Sequence, residues 1–435
     1  VAEDLTGEPH QAHDAHGQHE REANRGNETD ASHADSPRRK VMLLGAGELS
    51  RELAIAVQRL GADVIAVERY ADTPAHRIAD QSLVVDMTDA EELTGAIGRL
   101  RPNLVVTLTD AVAADALAAA GETGVTEVLP SARGVRLSTD GEGLRRLAAD
   151  ELGLPTAPFW FAGSLDELKA VAAHAGYPLL VKPVSVVGRQ ASSVVSGPDD
   201  VEPAWRRAAA TGGRVSHPRV LAETLVEVDY HVTLLTVCTD GPNGPVLEFC
   251  APIGHGEVAG EVLESWQPQQ MSDAALDAGK SIAARIVKAL GGRGVFGVEL
   301  MARGDEVYFC DVTARPRESA LVTLRTQRLS AFELQARAIL GLAIDTIMIS
   351  PGAAAVLYAG AGAHQARPDP GVLADALRVP ESDVRVFAHH EPQTPRRLGV
   401  ALATAADVSV ARDRARQVSA ALRRLWPPAN SPGSG

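Results

Sequence analysis

Cysteine is scarce. Three residues in 435, with no CxxC spacing, supply neither a disulfide framework nor a thiolate metal site. Cys238, Cys250 and Cys310 each lie in an apolar, strand-like run, the setting of buried reduced thiols in a cytoplasmic protein. No uncharged apolar stretch is long enough for a membrane-spanning helix, and the N-terminal residues carry no hydrophobic signal segment. Positive charge is also in deficit. The 42 Lys and Arg face 56 Asp and Glu, a net charge of -14, and no basic patch or aromatic platform of the kind that binds nucleic acid stands out. What is present, 45% hydrophobic and 23% charged residues, is ample for buried cores in two or three domains.

Residues 1–39 lack large hydrophobes almost entirely, so this acidic stretch cannot bury enough surface to fold alone. His10, His13, His16 and His19 recur at every third position within it. That spacing suits a metal-chelating tail or the compositional drift of a disordered extension, and the second reading is preferred. Residues 426–435, rich in Pro, Ser and Gly, read as a second disordered end.

Ordered structure is expected from Lys40. The apolar run Val41–Leu44, the turn Gly45-Ala-Gly47-Glu48-Leu49-Ser50, a helix over Arg51–Leu60 and a strand over Val64–Val67 make a βαβ opening. It approaches a dinucleotide fingerprint, with Glu68 about 20 residues on, but Ser50 stands at the third glycine position. Glu48 at the helix start repels a pyrophosphate and suits an amine or a ribose hydroxyl. Alternating strands and helices up to Ala120 predict an open parallel sheet whose ligands bind at strand C-termini.

Beyond it, Leu179-Leu-Val-Lys182-Pro183 places a lysine at the end of a buried strand, where a nucleotide phosphate is a suitable partner and a structural ion pair the plainer one. A small-residue loop follows, Ser185–Ser193. Val220–Val226 reads as a strand with Glu223 inside it, and Tyr230–Cys238 as the strand that pairs after it. Glu264-Ser-Trp-Gln-Pro-Gln-Gln-Met271 reads as a polar and aromatic loop, and Asp273–Leu290 as a helix. Arg396 and Arg397 enter a buried strand; adjacent arginines there can clamp a phosphate.

The most informative stretch is Gly294–Glu318. Two apolar strands flank the turn Arg303-Gly304-Asp305, a hairpin signal. Each strand carries one carboxylate among large hydrophobes, Glu299 and Asp311. Facing each other on adjacent antiparallel strands, they would repel unless a divalent cation bridged them to phosphate oxygens. Arg315 and Glu318 follow at once, adding a phosphate-type donor and a further carboxylate.

Taken together, the strings Val41-Met-Leu-Leu-Gly-Ala-Gly-Glu-Leu49, Val64–Asp72, Glu264–Met271, Gly297-Val-Glu-Leu300 and Arg396-Arg-Leu-Gly-Val-Ala-Leu-Ala-Thr404 resemble the ATP-grasp superfamily, and within it the formate-dependent, ATP-using purine transformylases, over about Lys40 to Ala420. The resemblance implies an α/β ATP-grasp fold: a Rossmann-like pre-ATP-grasp domain over 40–135, an ATP-grasp domain over 136–345 with a lid at about 155–226, and a small C-terminal domain over 346–425. It implies ATP and Mg²⁺, formate and glycinamide ribonucleotide or a related amine as substrates, and a cytoplasmic homodimer. By the same resemblance Glu299 and Asp311 hold the metal. Lys182, Gly188, Arg189 and the hinge Glu223, Thr224, Leu225 and Val226 hold the nucleotide. Glu48, Leu49, Glu318, Arg396 and Arg397 hold the ribonucleotide, and Arg315 and Glu318 serve catalysis. The chain departs from the family at Gly141 and His231 on the nucleotide side, where the family has Arg and Glu, and at Leu108 and His389 on the substrate side. Its lid loop, Val186-Val-Gly188-Arg189-Gln190, is shorter. These departures leave room for a ligase with another amine or carboxylate, or for a non-catalytic nucleotide-binding paralogue.

Overall fold

The computed structural model describes residues 38–184, 192–211, 219–258, 262–358, 369–387 and 397–426. The expectations for the histidine-bearing tail, for Gly188 and Arg189, for His389 and Arg396, and for the end beyond Trp426 lie outside these residues. Trp426 itself is buried beside Leu425 rather than part of a loose end.

Three sheets follow one another along the chain. The first is parallel, β1 (Lys40–Leu44), β2 (Asp63–Glu68), β3 (Gln81–Val84), β4 (Leu104–Thr107) and β5 (Glu127–Leu129), in the order β3-β2-β1-β4-β5. Val41 to Leu44 are fully buried, as a central parallel strand covered by helices on both faces must be. The order reverses between β1 and β4, which makes the crevice beyond their C-terminal ends the ligand-binding position of such a sheet. Gly45, with φ +100°, turns the chain there; a Cβ would lie 3.2 Å from Leu108 and Thr109, so the two loops meet only because no side chain intervenes. The helix begins at Glu48, three residues before the expected Arg51, because an acid in the first turn complements the helix dipole. Glu68 is spent on structure: its carboxylate accepts from the Ala46 amide at 3.1 Å and the Arg69 amide at 2.9 Å, which removes the ribose-binding role of a dinucleotide site.

The second sheet is antiparallel and small. β6 (Phe159–Ala162), β7 (Leu179–Pro183), β8 (Ser193–Val195) and β9 (Val220–Thr224) run in the order β6-β9-β7-β8, with Leu168, Ala172, Val201 and Ala204 of two helices in its core.

The third sheet has nine strands: β10 (Tyr230–Gly241), β11 (Gly244–Phe249), β12 (Ile253–Val258), β13 (Val262–Gln267), β14 (Gly294–Arg303), β15 (Glu306–Thr313), β16 (Gly352–Tyr358), β17 (Ser382–Val386) and β18 (Arg397–Thr404). Its path is β15-β14-β10-β12-β13-β16-β18-β17, with β11 on β10. Two expectations fail here. β9 and β10 do not pair: β9 lies between β6 and β7, and β10 between β14 and β12, because the short link Leu225–Asp229 carries the chain from one sheet to the next. Glu264–Gln267 is strand rather than loop. Its alternation puts Glu264 and Trp266 on one face, under the helix Val408–Leu422, and Ser265 and Gln267 on the other.

On that helix-covered face the Glu264 carboxylate accepts from Arg416 Nη2 at 2.9 Å and Arg412 Nη2 at 3.1 Å, and the Arg412 guanidinium stacks 3.9 Å over the Trp266 ring. Burial pushes Glu264 up, but the two arginines outweigh it and hold the carboxyl below the usual glutamate range. A carboxyl depressed on folding contributes stability that is present above about pH 4.3, the unfolded value, and lost as pH falls through the folded one. Glu264→Gln is therefore expected to cost roughly 1–3 kcal/mol at pH 7, discounted because solvent reaches Arg416, with the difference from the parent closing below about pH 4. Melting curves across pH 3–8 check this; a deficit that stayed constant with pH would contradict it.

Candidate functional site

Glu299 and Asp311 are register partners on β14 and β15. The row continues on the same face. Thr233 of β10 opposes Glu299, His231 opposes His255 of β12, and His255 opposes Ser265 of β13. The apolar strands thus carry one polar line across five neighbours. Along it Thr233 Oγ1 donates to Glu299 Oε1 at 2.8 Å, and His255 Nε2 lies 2.7 Å from Oε2. Ser319 Oγ stands 3.1 Å from Thr233 Oγ1.

The two acids differ in their surroundings. Burial pushes Glu299 up, and His255, Thr233 and Arg317 together hold it below the ordinary range. Burial pushes Asp311 up as well, and Arg317 and Lys182 do not offset it, so its carboxyl ends high. Among the described residues its side chain accepts one hydrogen bond, from the adjacent Val312 amide at 2.8 Å. One carboxylate is therefore held ionised and oriented, and its neighbour is short of positive charge. That pair fits a divalent cation. Among the described residues no group of three or more His, Cys, Asp and Glu forms a complete metal cage, so a cation there must complete its shell with ligand oxygens.

The expected nucleotide residues meet at the junction of the second and third sheets. Glu223 bonds Lys182 Nζ at 2.8 Å through one oxygen and pairs with Arg145 through the other. Arg145 also donates to the Cys310 carbonyl at 3.0 Å, bracing β9 against β15. The Thr224 and Leu225 amides are committed to Pro158 at 2.9 Å and Pro178 at 3.2 Å. Lys182 thus has the ion pair that sequence offered as its plainer partner. At Gly141 a Cβ would lie 2.5 Å from the Val184 carbonyl oxygen, so backbone fills the space where a side chain would start. His231 lies 6.2 Å, centroid to centroid, from His255.

The expected substrate residues gather at the crevice of the first sheet. Glu48 and Leu49 open the helix after β1; Glu48 is buried, with Arg51 4.0 Å away. Asp110 follows β4 and receives both Nη atoms of Arg315 at 2.8 Å. Burial pushes Asp110 up, and Arg315 and Arg317 more than reverse this, leaving it below its usual value. Arg397, at the start of β18, lies 3.1 Å from Glu318. Burial raises Glu318, but Arg397, Arg317 and Arg315 outweigh it and leave it low. Leu108 is half-buried against the neighbouring core.

Sequence reasoning missed Asp110, Arg145, Thr233, His255, Arg317 and Ser319. Asp110 could have been found from the crevice rule, because it follows the strand beside the reversal. Arg145 stands on an apolar helix stripe between Leu144 and Leu147, where an arginine needs a buried partner. His255 and Ser319 give no local signal; only strand register brings them to Glu299.

A parallel sheet with a ligand crevice, a small antiparallel sheet braced to a larger one, and an acid-bearing hairpin at their junction define an ATP-grasp protein. Residues 147–332 match the ATP-grasp domain model, and residues 352–422 match the model described as PurT, C-terminal. A formate-dependent phosphoribosylglycinamide formyltransferase of Burkholderia pseudomallei (strain 668) is 50% identical over 390 residues, covering 88% of this chain and 95% of that protein. One from Paraburkholderia xenovorans (strain LB400) gives the same identity and coverage. The solved glycinamide-RNase-transformylase T of Mycobacterium tuberculosis is 61% identical with a TM-score of 0.75, covering 88% of this chain and 99% of that one. A carboxyaminoimidazole ribonucleotide synthase from Aspergillus clavatus, at 22% identity and TM-score 0.75 over 89% of this chain and 99% of its own, shares the fold. The chain belongs to the family of formate-dependent phosphoribosylglycinamide formyltransferases.

The brace makes a prediction. Arg145 keeps 5% of its side-chain surface and Lys182 31%, so Glu223 matters far more to the first. Glu223→Gln strands a buried cation and is expected to cost roughly 3 kcal/mol, whereas Lys182→Gln is expected to cost under about 1 kcal/mol. Urea midpoints measure both; equal losses would contradict this assignment.

Proposed function

We propose that this chain formylates glycinamide ribonucleotide using formate and ATP. The observation that carries the reading is the facing pair Glu299 and Asp311, one ionised and held, the other short of positive charge, in a chain half-identical to formyltransferases over 390 residues.

A formate oxygen attacks the γ-phosphorus of ATP, the bond to the β,γ-bridging oxygen breaks, and ADP leaves. The amine nitrogen of the ribonucleotide attacks the formyl carbon of the formyl phosphate so made. The carbon–oxygen bond to phosphate breaks, and the amine proton leaves with the phosphate. Glu299 and Asp311 are the residues that would hold Mg²⁺. When bound, Mg²⁺ supplies positive charge against nucleotide phosphate oxygens as the phosphoryl group moves. Thr233 and His255 hold Glu299 in place. Lys182 faces the nucleotide phosphates, sharing Glu223 with Arg145. The hinge Glu223 to Val226 borders the adenine, with its Thr224 and Leu225 amides already bonded to Pro158 and Pro178. Glu48, Leu49 and Glu318 orient the ribonucleotide, and Arg397 takes its phosphate by a charge-assisted contact. Arg315, gripped by Asp110, fixes the strand end that carries Glu318. The formyl phosphate would hydrolyse in open water, so the small sheet β6–β9 serves as the cover over it.

The sheet boundaries support reading 40–135 as the pre-ATP-grasp domain, 136–345 as the ATP-grasp domain and 346–425 as the C-terminal domain, although β16–β18 extend the same nine-stranded sheet. Three free thiols suit a cytoplasmic location, and a homodimer completes the reading. No helix among the described residues is long and apolar enough to cross a membrane.

Purified protein is expected to release ADP only when Mg-ATP, formate and glycinamide ribonucleotide are all present. Coupled-enzyme ADP detection measures this, and ADP release with another carboxylate or amine in preference would overturn the substrate assignment. Glu299→Gln is expected to lower kcat by about 10²-fold or more, removing electrostatic help at the reacting phosphate, in a protein that still folds with some loss of melting temperature because the charge held by His255 and Thr233 is gone. Unimpaired turnover in that variant would remove Glu299 from the site.

A further inference from the structure

The segment after β15 is built so that three consecutive side chains reach three different walls. Ser319 joins the Thr233 and Glu299 network, with its Oγ 3.1 Å from Thr233. Glu318 meets Arg397 of β18 at 3.1 Å. Arg317 turns back to the crevice of the first sheet, where its nearest anionic contact is Asp110, at 3.5 Å. Pro316 precedes them and fixes the backbone entering the turn.

Arg317 is under-used for a guanidinium at such a place. Its neighbour Arg315 has already taken both Asp110 oxygens at 2.8 Å, so Arg317 has only the longer, one-point contact. Its Nε is buried and has no hydrogen-bond partner among the described residues. An unpaired buried donor on a charged group is costly, and most are satisfied by water or by a ligand. Yet 27% of the side chain remains accessible, so the guanidinium is not walled off. Its charge also reaches Glu299, Asp311 and Glu318. The other arginines around the crevice reach only part of that set: Arg315 lies near Glu318 and Asp110, and Arg397 near Glu318.

We infer that Arg317 is the subsite for the small carboxylate substrate, holding one carboxylate oxygen through its guanidinium between the Glu299–Asp311 pair and Glu318. The position follows from the chemistry of the proposed function, on which this inference rests. The carboxylate must touch the transferring phosphate at one end of its path and the amine at the other, so its anchor belongs between the acids that serve each. A planar fork matches a carboxylate, and the guanidinium, held by one long contact to Asp110 and still partly accessible, keeps donors for one. A compact monocarboxylate is the chemical class it suits, since the adjacent Glu318 and Ser319 are tied to other walls and Asp110 stands 3.5 Å from the guanidinium, which leaves anionic groups close on either side of a longer acid.

The competing role is simple charge balance, with Arg317 neutralising neighbouring acids and touching no substrate. Steady-state ADP release separates the two. In the full chain, R317Q is expected to raise the KM for formate by about tenfold or more while leaving the KM values for ATP and for the ribonucleotide within about twofold, the loss of a charged contact to one ligand only. R317K, which keeps charge but loses the fork, is expected to fall between and covers the case in which R317Q does not fold. An unchanged formate KM in either folded variant overturns the inference, as does a common rise in all three KM values. A parent protein that releases no formate-dependent ADP overturns the proposed function itself, whereas a working parent with an indifferent R317Q overturns only the carboxylate subsite.

Discussion

Two carboxylates pressed together on one side of a hairpin govern this structure. Glu299 and Asp311 are direct partners in the β14–β15 ladder, where like charges repel. The fold tolerates Glu299 by giving each of its oxygens a donor, Thr233 on one side and His255 on the other. It gives Asp311 no comparable support, and burial drives that carboxyl upward. Asp311 is thus short of positive charge, which the proposed cation would supply.

Long-range register does the assembling. His255 lies 44 residues from Glu299 and Thr233 lies 66 residues away, yet pairing of β10 with both β12 and β14 sets them side by side. Asp110 is 205 residues from Arg315, and their two-point contact ties the crevice of the parallel sheet to the strand end that bears Glu318. Arg145 performs the same service between β9 and β15. Each connection uses at least one charged group where a purely apolar contact would have left orientation free. Such pairs add little net stability when partly exposed, but their geometry is specific. The site is thus a junction of three sheets, the first and third sharing one hydrophobic core, with orientation fixed at a few charged points.

Much of this was legible in the chain itself. The hairpin acids stood out because carboxylates interrupted two strongly apolar strands joined by the turn Arg303-Gly304-Asp305; counted from that turn Glu299 would face Cys310, and a register shift between Glu299 and Leu300 brings it opposite Asp311. The parallel sheet followed from alternating apolar strands and helices, and with it ligand binding at strand C-termini, while the strand order that locates the crevice between β1 and β4 came only with the structure. Other features were hidden for physical reasons. Glu264–Gln267 looked like a loop because its polar residues gave no apolar alternation. In the folded chain Arg412 and Arg416 come from 148 and 152 residues away to cover Glu264. The separation of β9 from β10 was invisible because the five-residue link Leu225–Asp229 alternates apolar and acidic residues after Leu225 and so resembles a continuing strand. Lys182 was read as a phosphate ligand, and its Glu223 partner lay 41 positions further on, beyond any local pattern.

The central claim is that Glu299 and Asp311 share a divalent cation with a nucleotide. A crystal structure of the full chain with Mg²⁺ and a non-hydrolysable ATP analogue tests it most directly. The account predicts an ion between the two carboxylates, with phosphate oxygens completing its shell and Lys182 alongside. A bound nucleotide whose phosphates lie away from β14 and β15, with both acids turned from any ion, would contradict it.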